Sequence, residues 1–107
     1  FSVAKNGTLG GTSDRKLKVN IVNSPDKLTD LCKIKIRDFN WKESREKTKQ
    51  IGWIAQEVQE VFPEMIFEDS GSLAVKHSEF VPILIKSVQE QQTIIEGLLK
   101  RIEALES

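Results

Sequence analysis

The stretch from Ser78 to Ser107 constrains this chain most, because its apolar residues recur at the alternating three- and four-residue spacing of a heptad repeat. Val81, Val88, Ile95 and Ile102 take the a positions, and Leu84, Gln91, Leu98 and Leu105 take d. The pattern persists over about four heptads, which predicts a coiled coil and not a lone surface helix. Such a stripe must be covered, either by copies of itself or by the rest of the chain. Packing on its own domain is the alternative, since Pro82 and Gly97 both weaken the helix. Pro82 is tolerable near the start, whereas Gly97 costs about 1 kcal/mol relative to Ala. Gln91 interrupts the apolar seam, and a polar residue there fixes register or oligomer state at some cost in stability.

The seam leaves the number of strands open. Valine or isoleucine at a with leucine at d leans towards a parallel dimer. Ile85 and Leu99 at e and Ile94 at g, however, widen the apolar stripe beyond what two strands cover. Three strands, or docking on a globular unit, bury that width better.

Composition excludes several classes of function. In 107 residues the apolar set is only 38% and the charged set 30%, a thin supply for a self-sufficient core, so association is expected. The length suits one small domain. Lys+Arg and Asp+Glu both total 16, and no basic patch calls for nucleic acid. A single cysteine and a single histidine make neither an internal disulfide nor a zinc cluster, so no metal is expected. No apolar run reaches the length of a membrane span or signal sequence. The composition is that expected of a soluble protein made in a reducing compartment. Cys32, among Leu28, Leu31 and Ile34, reads as a small buried hydrophobe.

Three zones follow. Residues 1–12 read FSVAKNGTLGGT, too short and glycine-rich for a domain, and the initial Phe1 in place of Met suits a fragment of a longer polypeptide. Residues 13–77 predict a compact α+β unit, and residues 78–107 the long helix. Within the unit, Ser24-Pro25-Asp26 is a helix start, with Leu28, Leu31 and Cys32 on one face. Ile34 and Ile36 alternate with charged residues along a half-buried strand running towards Phe39 and Trp41. Glu43 to Gln50 reads as an exposed loop, and Ile51 to Trp53 as a strand. Ile54, Val58 and Val61 share a helical face that Pro63 ends. Met65–Phe67 and Leu73–Val75 flank a polar, glycine-containing turn, a hairpin signature. Trp41 and Trp53 read as core or interface aromatics. His77 precedes Ser78-Glu79, a helix-capping signal, so a turn role is favoured over that of a general base.

The hexamer Ser13-Asp14-Arg15-Lys16-Leu17-Lys18 carries the chemistry. A serine hydroxyl becomes nucleophilic when a base takes its proton, and a lysine held neutral can be that base. Ser13 bears the Thr12–Ser13 peptide on its own nitrogen, so the hydroxyl would be tethered to its target. The plain alternative is a serine helix cap with an acidic first turn. Five residues along an α-helix rotate about 140° from the starting face, and five along a strand reach the opposite side. Ser13 and Lys18 therefore meet only across a turn or between subunits. The carboxylates and Gln56 of Ile54-Ala55-Gln56-Glu57-Val58-Gln59-Glu60 fall on or near the polar face of an amphipathic helix, where solvated side chains are the ordinary case.

The order SDRKLK, DFNWK, IGWIAQEVQEVFPE and a terminal coiled coil closely resembles one family. It is the C-terminal intramolecular chaperone and autoprotease domain of bacteriophage tailspikes, tail fibres, neck appendages and endosialidases. The resemblance runs from about Ser13 to the end. It implies a homotrimer, matching three-fold passengers, with Ser13 as nucleophile, Lys18 as general base and the cut between Thr12 and Ser13. Residues 1–12 would then be the end of the passenger. The resemblance further implies two identical chains and the passenger as partners, no cofactor, and work in the host cytoplasm during phage assembly. A non-cleaving trimerisation module and a permanent fibre tip are the other classes this pattern admits.

Overall fold

The computed structural model describes residues 12–42 and 47–107. The glycine-rich start before Thr12 and residues 43–46 of the expected loop lie outside the described residues. Among the described residues the chain is α+β, with two small antiparallel hairpins, two short helices and one long C-terminal helix.

Helix α1, Leu28–Leu31, is a single turn. Strands β1, Arg37–Phe39, and β2, Gln50–Gly52, pair antiparallel with Asp38 opposite Ile51. Helix α2, Ala55–Val61, follows, and Pro63 opens a 3-10 turn, Pro63–Met65, where its fixed φ suits the first position. Strands β3, Ile66–Asp69, and β4, Ser72–Val75, then form the expected hairpin. Ser70 and Gly71 have φ of 54° and 84°, the two positive values of the turn whose twist matches its strands. A 3-10 turn over His77–Glu79 leads into helix α3, Phe80–Glu106.

The core is small and sits where α2 meets the start of α3. Val58, Phe62, Phe80 and Ile83 are buried, and Leu31, Ile34, Trp53, Val61, Met65, Ile66 and Val75 pack around them. Phe80 is the junction: its ring lies edge-on to Phe62 at 5.4 Å between centroids and tilted against Trp53 at 4.9 Å. On the outside, Arg37 of β1 grips Glu57 of α2 through two bonds, Nε to Oε1 at 3.1 Å and a terminal nitrogen to Oε2 at 2.7 Å. Glu57 is thus a structural carboxylate, in keeping with its place on the polar side of α2.

Several expectations are corrected. Cys32 is exposed, because α1 ends at Leu31 and only Leu28 and Leu31 turn inward. The first strand starts only at Arg37, leaving Ile36 exposed. Trp41 is 64% exposed and packs only edge-on against Phe39, whereas Trp53 joins the core. Ser24 does not cap α1; its hydroxyl donates to the carbonyl of Pro25. Nor does Ser78 cap α3, whose N-cap is Glu79 without a side-chain bond. The 3-10 turn preceding α3 already holds its first amide, since Phe80 N donates to the carbonyls of His77 and Ser78, just as Glu79 N donates to that of Lys76.

Candidate functional site

The hexamer folds as a turn of its own. Asp14 is extended, and its Oδ1 accepts from the Lys16 amide at 3.0 Å. That bond opens a 3-10 turn over Arg15–Leu17, closed by Leu17 N to Asp14 O and Lys18 N to Arg15 O, each 3.0 Å. The cap is therefore Asp14 and not Ser13, which corrects the capping alternative and leaves the Ser13 hydroxyl free for another contact. Lys18 returns to extended backbone, and its Nζ donates to Ser13 Oγ at 2.6 Å. Asp14 and Lys18 are both extended, so the short turn between them redirects the chain and brings Lys18 back to Ser13, which neither a continuous α-helix nor a continuous strand would do.

A heavy-atom contact of that length lies within the reach required of a general base and its nucleophile. Thr12, Ser13 and Lys18 are all exposed in the single chain. Beside the pair, Lys16 Nζ lies 3.9 Å from Asp14 Oδ2. Among the described residues no group of histidine, cysteine and carboxylates could hold a metal ion, and no helix is long and apolar enough to cross a membrane.

The second candidate surface is on α3. Val81, Leu84, Val88, Gln91, Ile95, Leu98, Ile102 and Leu105 are all exposed. So are Ile85, Ile94 and Leu99, which flank the stripe. The same helix docks on its own unit through a different stripe: Phe80, Ile83 and Ser87 are buried and Glu90 is half-buried. Each docking residue is followed by a seam residue, 80 by 81, 83 by 84, 87 by 88 and 90 by 91. One residue is about 100° around a helix, so docking and seam occupy adjacent faces and do not compete. Sequence reasoning treated docking and coiled coil as alternatives, but the first part of α3 docks while leaving the seam bare. A cavity of about 380 Å³ lined by apolar residues, among them Leu31, Ile34 and Trp53, reaches the first two seam residues, Val81 and Leu84.

One long-range contact escaped sequence reasoning altogether. Glu90 of α3 accepts hydrogen bonds from the backbone of Lys27 and Leu28 at the start of α1. The sequence hint was slight: position 27 is a lysine, which cannot cap a helix N-terminus itself.

A model of a peptidase family, described as chaperone of endosialidase, covers residues 13–67, just over half of the chain. It begins at Ser13. No curated protein matches the chain significantly.

Proposed function

The chain belongs to the chaperone-of-endosialidase family, and from that premise we propose that it is an intramolecular chaperone which gathers three copies of a phage tail fibre, spike or appendage protein and then cuts itself free between Thr12 and Ser13. The observation that carries the reading is the 2.6 Å contact between Lys18 Nζ and Ser13 Oγ. In the reaction, neutral Lys18 takes the Ser13 hydroxyl proton and Oγ attacks the Thr12 carbonyl carbon. The carbon–nitrogen bond breaks, the Ser13 nitrogen takes the proton, and Thr12 is left as an ester on Ser13. Water then hydrolyses that ester, giving a passenger that ends in the Thr12 carboxylate and a chaperone that begins at Ser13. Attack on a tethered neighbour recovers much of the entropy that a bimolecular encounter loses, and a positioned base adds roughly 10²- to 10⁴-fold.

The exposed seam of α3 supplies the chaperone step. Its apolar width, from Ile94 at g to Ile85 and Leu99 at e, suits three strands, and Gln91 sets their register. Three helices held together raise the local concentration of the passenger chains and align them before their slow, non-local pairing begins. Cleavage afterwards makes assembly irreversible, a form of kinetic stability. The work takes place in the host cytoplasm before the passenger joins the virion. Burial of Ser13 and Lys18 on assembly would desolvate the amine, so cutting would wait for the trimer.

A clamp that never cuts is the competing reading, favoured by the full exposure of both residues in the single chain. One experiment separates the two: intact mass and light scattering of the domain carrying an upstream passenger segment, beside Ser13→Ala, Lys18→Ala and Ile95→Asp. The expected parent is trimeric and yields a fragment starting at Ser13. Ser13→Ala and Lys18→Ala stay trimeric and whole, and Ile95→Asp stays monomeric and whole. A trimeric but uncut parent would leave only the clamp, and a monomeric parent would refute both.

A further inference from the structure

Helix α1 is a single turn, and the first amides of any helix lack intrahelical partners. Lys27, at its N-cap, makes no side-chain bond. The partner comes from far along the chain. Glu90 Oε2 accepts from Lys27 N at 2.6 Å, and both carboxylate oxygens accept from Leu28 N at 3.2 Å. Hydrogen bonds to an ionised acceptor are roughly twice as strong as neutral ones. One turn earlier on α3, Lys86 Nζ lies 3.9 Å from Asp26 Oδ1, a second and weaker tie. Glu90 is also the last residue of α3 that is not fully exposed, and it stands next to Gln91, the polar layer of the seam.

The latch therefore joins the long helix to the segment that carries Ser13 and Lys18. Between Lys18 and the latched Lys27 run only residues 19–26, all exposed. Eight residues span at most about 29 Å. We propose that Glu90 is a positioning residue for self-cleavage, tying the cutting segment at a fixed level of the helix bundle; the proposal rests on the self-cleavage reading given above. When α3 takes its place among its copies, the latch carries each Ser13–Lys18 pair to a defined place beside the bundle. With the latch broken, α1 loses the partner of its first amides, and the segment is held by the weaker Lys86–Asp26 contact and, further on, by Leu31 and Ile34 packed on the core.

The test is the self-cleavage rate of the chain with its upstream passenger segment, at fixed protomer concentration, for the parent, Glu90→Ala, Lys27→Ser and the double variant. Serine at the N-cap supplies a local acceptor for the amides of α1 but no tie to α3. Glu90→Ala is expected to remain trimeric and to cut at least about tenfold more slowly, the scale set by losing hydrogen bonds to a charged group. Lys27→Ser alone should cut like the parent. The double variant should recover the parent's unfolding temperature and stay slow. Glu90→Ala cutting at the parent rate would overturn the proposal. So would a double variant that regains both stability and rate, since Glu90 would then only cap α1. An uncut parent would instead refute the self-cleavage reading, and the positioning role with it.

Discussion

Replacing Phe80 with alanine tests whether the long helix is held by the core or merely attached to it. Phe80 is 3% exposed, opens α3, and touches Phe62 and Trp53 through its ring. Truncating a buried phenylalanine costs about 3–5 kcal/mol, and each lost ring pair accounts for about 0.5–1.5 kcal/mol beyond area. A loss of about 4 kcal/mol is a large part of the roughly 5–15 kcal/mol that a domain of this size possesses. It corresponds to a fall in Tm of about 15 °C or more. The assay is urea unfolding followed by tryptophan fluorescence, to which Trp53 reports directly because Phe80 is its neighbour. Protomer concentration must be held constant, since association adds to apparent stability by mass action. Far-ultraviolet circular dichroism read in parallel follows α3 itself. A loss below about 1 kcal/mol would refute the clamp, because no buried phenylalanine in a packed site is truncated so lightly. A normal fluorescence transition with early loss of helix signal would refute it equally, by showing that α3 leaves without disturbing the core.

Three further outcomes follow from particular residues. Gly71→Ala should destabilise by about 1–2 kcal/mol because φ is +84°, where an added Cβ is strained although nothing lies within 4 Å of it. Gly97→Ala should stabilise α3 by about 1 kcal/mol, since that site is also open but helical; urea midpoints of the two variants must therefore move in opposite directions. The hydrogen bond from Arg37, aided by its charge and that of Lys35, holds the Glu57 carboxyl below the usual carboxylate range. A group so lowered contributes stability above its unfolded value and loses it as pH falls through the lowered folded value. Arg37→Gln should therefore lower stability by a constant amount at and above neutrality and leave it unchanged at the acid end, flattening the acid limb of the stability–pH curve, as read by urea midpoints across that range.

Legibility in the sequence followed the range of the forces involved. The β3–β4 hairpin, α2 and α3 were readable because alternation, helical spacing and turn residues are local signals. Ser13 and Lys18 were readable as a pair, and the need for a turn between them followed from geometry. The turn's actual cap, Asp14, was not, because serine and aspartate are equally good caps and stand side by side. Cys32 and Trp41 misled because apolar neighbours in sequence do not guarantee apolar neighbours in space when the element is a single turn or a three-residue strand. The Glu90 bond to α1 joins residues some sixty positions apart, and no periodicity announces it. Docking and seam on α3 looked like rival uses of one helix, because a heptad count does not reveal that the residue preceding each of the first four seam positions is the one that docks.

From Gln91 onward every residue of α3 is exposed, and that part of the helix is about 24 Å long. Everything that shapes the folded unit ends at Glu90. Whole heptads can therefore be added to or removed from the tail without altering the core, the latch or the hexamer turn. If the seam gathers copies of the chain as proposed, grip strength becomes an independently adjustable setting, and a slowly folding passenger would be served by a longer handle on an unchanged head.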